Sequence, residues 1–163
     1  MKKSVSLIID KSTKGGAIIA AARIAKILKK NFKIEYKLSK KKNYFHKIKV
    51  LFSKVICRIF IRNENFLNSL NLFSRVDIEK IKGNLINIHW IGNEIVSLND
   101  LINTKKTIVW TMHDLWPMTS TEHFLNNHKA YCYNTKNLKN NLLKKIIYRK
   151  KKKLFKKKNI YLI

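Results

Sequence analysis

Short apolar runs separated by stretches of helical spacing set the plan of this chain. Val5 to Asp10 (VSLIID) reads as a brief buried strand. After KSTKGG comes AIIAAARIAKILKK, with Ile19, Ala22 and Ile27 at helical spacing and a basic last turn that suits the helix dipole. Phe32 to Leu38 predicts a second strand. Leu85 to Trp90 (LINIHW) and Thr107 to His113 (TIVWTMH) predict two more. Between those two the pattern predicts a helix around Glu94 to Asn103, with Ser97 or Asn99 placed to cap it. Leu138 to Lys158 is a long basic helix pattern whose apolar side is Leu142, Leu143, Ile146 and Ile147, and NIYLI reads as a strand after it. Strands alternating with helices predict an α/β fold: a Rossmann-like open parallel sheet, doubly wound, with flanking helices.

Tyr44 to Arg62 (YFHKIKVLFSKVICRIFIR) admits two readings. Drawn as a helix, it puts Ile48, Phe52, Val55, Ile56 and Ile59 on one arc, with Lys47, Lys54, Arg58 and Arg62 across from it. Such a segment suits the surface of an anionic membrane. It equally suits a core-facing helix with a solvated basic side.

Composition narrows the function classes. The 163 residues allow one domain with a real core. Lys and Arg number 36 against 9 Asp and Glu, a formal charge of +27, while 45% of the residues are hydrophobic. Abundant Lys, Ile and Asn match AT-rich coding, which accounts for part of the charge. The rest favours phosphates, anionic lipid or nucleic acid. Residues 124–163 hold thirteen basic residues and no acid, yet no nucleic-acid reader motif accompanies them, so nucleic acid is not the expected partner. The apolar run Val5 to Ile9 is too short for a signal peptide, and no run approaches the length of a membrane span. Cys57 and Cys132 suggest neither a disulfide framework nor a metal pattern, so a reducing, cytoplasmic location is expected.

Candidate chemistry gathers in one place. Ile108 to Phe124 (IVWTMHDLWPMTSTEHF) holds two tryptophans, two histidines, Asp114, Glu122 and the only proline. His113 and Asp114 stand where a strand pattern ends, the position at which open α/β sheets bind ligands. A histidine there can bond a sugar hydroxyl or phosphate, act as a base, or simply anchor the loop. His113, Glu122, His123 and Cys132 could be drawn as a metal site, but their spacing matches no zinc pattern and no metal is expected. Trp110, Trp116 and Phe124 suit packing or a stacking platform. Gly15-Gly16, between strand and helix, suits either a turn or the close approach of a phosphate to a helix N-terminus.

Several motifs in order sharpen the picture: GGAIIAAARIAKIL (Gly15 to Leu28), SLNLF (Ser69 to Phe73), NIHWI (Asn87 to Ile91), IVWTMHDLWPM (Ile108 to Met118) and TEHF (Thr121 to Phe124). Together they resemble the N-terminal half of family 4 glycosyltransferases, GT-B in fold, in a branch that builds bacterial polysaccharides. The resemblance implies one half of a GT-B architecture. Residues 1–163 would be the acceptor-side domain, truncated before the C-terminal nucleotide-sugar-binding domain, and inactive alone unless a separate chain supplied that half. It implies transfer from a nucleotide-sugar to a cell-surface polysaccharide or lipid-linked acceptor, with no cofactor and no metal, at the inner membrane face. Gly15 and Gly16 would approach the donor diphosphate. His113 would bond near the transferred sugar with Asp114 beside it, and Trp116, Glu122 and His123 would face the acceptor. Thr119 to Thr121 and the single Cys132 depart from the relatives' pattern. The rival reading is a nonenzymatic basic module binding an anionic membrane or nucleic acid.

Overall fold

The computed structural model describes residues 3–9, 15–38, 44–61, 70–121 and 141–163. Along these residues the order is β1 (Ser4–Ile9), α1 (Gly16–Leu28), β2 (Lys33–Leu38), α2 (Tyr44–Phe60), β3 (Leu85–Ile88), α3 (Leu98–Asn103), β4 (Thr107–Trp110), α4 (Leu142–Phe155) and β5 (Ile160–Leu162). The strands form one parallel sheet in the order β2-β1-β3-β4-β5. This is the Rossmann-like α/β fold expected from the alternation of strand and helix patterns.

The strand order explains the layers. From β1 the chain steps to one side to make β2, then crosses back to build β3, β4 and β5 on the other. Right-handed crossovers therefore place α1 on one face and the later helices on the opposite face. Alternation along β1 serves both layers. Leu7 and Ile9 pack against Ala21 and Ala25 of α1, whose small side chains let the helix sit close to the sheet. Ile8 points the other way, into the larger cluster with Ile86, Ile88, Ile108, Trp110 and Ile160, covered by Leu98 and Leu101 of α3 and by Ile147 and Leu154 of α4.

Element ends differ from the sequence pattern for local reasons. α3 starts at Leu98 rather than Glu94, because Asn93 and Glu94 take φ of 58° and 55°, outside any right-handed helix. Ser97 is the cap, its Oγ accepting the Asp100 N–H at 3.0 Å. α4 starts at Leu142, capped by Asn141, whose Oδ1 accepts from Lys144 N at 3.1 Å. The left-handed turn at 93–94 is held from two sides. Buried Glu94 accepts from Ser53 Oγ and from Phe73 N, both at 2.6 Å. Asn71 Nδ2 donates to Ile91 O at 2.7 Å and Val96 O at 2.8 Å. The Asn and Phe of SLNLF thus fasten the segment that follows β3.

α2 is the helix drawn from the sequence. Its buried residues are His46, Val50, Ser53 and Cys57, while Ile48, Phe52, Val55 and Ile59 are exposed. Of the apolar arc read from the sequence, only Ile56 packs against the core; the rest points outward, and a different, partly polar arc faces the protein.

Candidate functional site

The alternation of β3 that sends Ile86 and Ile88 into the core turns Asn87 to the opposite face, and His89 follows it there. β4 lies alongside in register, Asn87 beside Val109, so the residues leaving β4 run next to those leaving β3. At this carboxyl edge three side chains form a relay. Asn87 Nδ2 donates to Val109 O at 2.9 Å and to Thr111 Oγ1 at 3.0 Å, which turns its Oδ1 toward His89. His89 Nε2 lies 2.8 Å from that oxygen, and His89 Nδ1 lies 2.9 Å from His113 Nε2.

These contacts assign the protons. An amide oxygen only accepts, so His89 carries its proton on Nε2 and its Nδ1 is an acceptor. His113 must then donate through Nε2–H, which leaves His113 Nδ1 as the lone-pair nitrogen. Among the described residues no group pairs with that nitrogen. Burial pushes His89 down from 6.5 to about 4, with repulsion from His113 adding to it. His113 is also lowered by burial, while the neighbouring Asp114 carboxylate raises it. Near neutral pH both rings are uncharged, and the first proton taken up goes to His113 Nδ1. Protonating His89 instead would set two N–H groups against each other.

The loop beyond β4 is built around other contacts. Asp114 Oδ1 accepts from Trp116 N at 2.9 Å, a turn in which the side chain replaces a backbone carbonyl. Trp116 is buried in the core, its ring 5.9 Å from that of Trp110. Lys151 of α4, only 1% exposed, lies with Nζ 3.5 Å from the centre of the Trp116 ring. It donates to Trp116 O at 2.5 Å, Ser120 O at 2.9 Å and Thr119 O at 3.2 Å. The lysine therefore knots the WPMTS turn to the helix beneath it. Gly92 is required nearby, since a Cβ there would overlap the Trp90 ring.

His89, Trp90, His113, Asp114 and Trp116 border a notch of about 10 Å³, enough for roughly one water molecule. It is a contact point and not an enclosure, so a ligand would lie across it. His113, Asp114 and Trp116 thus border one notch, and Trp116 is at the same time a core side chain. Gly15 and Gly16 stand at the same edge of the sheet without lining the notch. Gly15 is extended, φ −173°, and a Cβ on either glycine would meet nothing within 4 Å. The fold itself therefore makes no demand for glycine at this pair. Glu122, His123 and Cys132 lie outside the described residues, and so does the metal grouping that includes them. Among the described residues no three or more His, Cys, Asp or Glu gather as metal ligands, and no helix is long and apolar enough to cross a membrane.

Asn87 and His89 were absent from the candidates named from sequence. Their signal was present: two polar residues, two apart, within an otherwise apolar strand face the same way and need partners. No protein-family model, curated protein or solved structure matches the chain.

Proposed function

We propose that the chain is the acceptor-side half of a glycosyltransferase, with His113 Nδ1 as the group that meets a sugar hydroxyl. The observation that carries this reading is the relay Asn87–His89–His113. It leaves His113 Nδ1 without a partner among the described residues, on a side chain that borders the notch at the carboxyl edge of a sheet whose order reverses between β1 and β3. A neutral imidazole held in one tautomer suits a hydroxyl donor, and once protonated it suits a phosphate. The bare glycine pair after β1 supports the reading, because it leaves the first turn of α1 open to a diphosphate.

In such a transfer the anomeric carbon–oxygen bond to the nucleoside diphosphate breaks and the acceptor oxygen forms the new one, losing its proton. The charge that develops on the diphosphate needs donors on its own side of the sugar. A notch of this size cannot provide them. In this reading a second surface closes over the notch and grips the nucleotide. The motif order SLNLF, NIHWI, WTMHDLWP also supports the family, since Asn71 and Phe73 brace the loop that leads out of β3.

The test is a titration of the protein, with 15N-labelled histidine, by uridine and guanosine diphosphate sugars. The expected result is a saturable shift of the His113 Nδ1 resonance, lost in a His113→Ala protein. Absence of any shift at millimolar concentrations of every sugar nucleotide would sink the donor part of the proposal.

A further inference from the structure

α2 carries two apolar arcs. One, through Val50 and Cys57, packs on the protein. The other, through Tyr44, Ile48, Leu51, Phe52, Val55 and Ile59, lies on the opposite side and is exposed. The exposure is large, 74% at Tyr44, 61% at Leu51, 54% at Phe52 and 60% at Ile59. Isolated exposed apolar side chains are ordinary, but a continuous row over four turns marks a surface that is covered by something.

We infer that α2 lies flat on an anionic lipid bilayer, its outer arc buried among the acyl chains nearest the headgroups. Charge selects this occupant over a second copy of the chain. Lys47, Lys54 and Arg58 run along one flank between the two arcs, Lys49 lies on the other, and the helix contains no acid. Two copies meeting through this face would bring their cations together with no carboxylate on either helix to pair them. A lipid surface presents phosphates to all of them, and long basic side chains reach headgroups while their stems stay apolar. The first turn of α2 is joined to the loop beyond β3, His46 Nε2 lying 3.2 Å from Asn93 O. Docking through α2 therefore brings the carboxyl edge of the sheet near the lipid. The docking stands on the helix alone. Only the further step, that the sugar acceptor is lipid-borne, rests on the sugar-transfer reading.

With a net charge of +27, adhesion to anionic vesicles alone would decide nothing, so the test keeps every charge and removes the apolar arc. The full chain and a Leu51→Ser, Phe52→Ser, Ile59→Ser variant are sedimented with vesicles of phosphatidylglycerol and phosphatidylcholine, with circular dichroism confirming the fold of both. The expected result is a partition constant lowered at least about tenfold in the variant. In a second variant, Lys47→Gln with Lys54→Gln, it falls about fivefold per cation. Equal binding by wild type and the serine variant would overturn the proposal and assign adhesion to diffuse charge. So would no binding by wild type, or a concentration-dependent dimer that the serine variant abolishes without any lipid binding. The sugar-nucleotide titration needs no lipid, so failure of one reading leaves the other standing.

Discussion

Lys151 and the His89–His113 pair are basic groups at the same end of the sheet, Lys151 and His89 buried and His113 half-buried, and they end differently. Lys151 has three protons and three carbonyls to receive them, at Trp116, Thr119 and Ser120. Nothing of it remains for a ligand, and its work is to hold a loop. The histidines also pair with each other and with Asn87, but a ring has two nitrogens and the chain of bonds runs in one direction. It starts at an amide fixed by Val109 and Thr111 and stops at His113 with one nitrogen unspent. Saturation separates a structural buried base from one able to do chemistry.

The contrast can be broken most directly at the lysine. Lys151→Met keeps the length and apolar stem of the side chain but strips three buried carbonyls of their donor. A loss of about 2–4 kcal/mol is expected in urea unfolding. A loss below 1 kcal/mol would mean that the loop holds itself. The next effect comes from acid. The unfolded chain protonates His89 near 6.5 and the folded chain only near 4, so the unfolded state binds the extra proton between those values. Stability present above 6.5 should therefore fall as pH drops toward 4, by roughly 3 kcal/mol from this ring. A His89→Gln protein should lack that part of the pH dependence, and an unchanged slope would show that His89 is not held neutral. The smallest effect sharpens the other half of the comparison. Asp114 raises the His113 pKa against burial, so Asp114→Asn should move the titration of His113 downward. In the same 15N spectra the neutral ring should carry its proton on Nε2. A proton on Nδ1 would undo the assignment of the relay.

Much of the molecule was legible before any tertiary contact was known, and the exceptions share a cause. Strand and helix patterns depend on repeats of two and of three to four residues, which the chain displays locally. All five strands and α1 follow from them, and Ser97, the cap, was one of two residues the sequence offered for that role. His113 and Asp114 were legible because a strand ending in polar residues is itself a local signal. His89 was hidden inside the strand before it, and its significance exists only because β3 and β4 lie in register and bring residue 113 against it. The start of α3 was misplaced because the left-handed turn at Asn93 and Glu94 is stabilised by Ser53 and Phe73, which are 41 and 21 residues distant from Glu94.

α2 draws the line most clearly. Its sequence determined that it would be a helix with an apolar arc and a basic flank. It did not determine which way the helix would turn, because either a core or a lipid surface can cover such an arc. The tertiary structure decided by a polar requirement. Buried Glu94 takes a hydrogen bond from Ser53, and Asn93 O meets His46, so the arc bearing Ser53 and His46 faces inward. Leaving a buried carboxylate without donors costs more than leaving a few aliphatic side chains outside. The stronger apolar face was turned out.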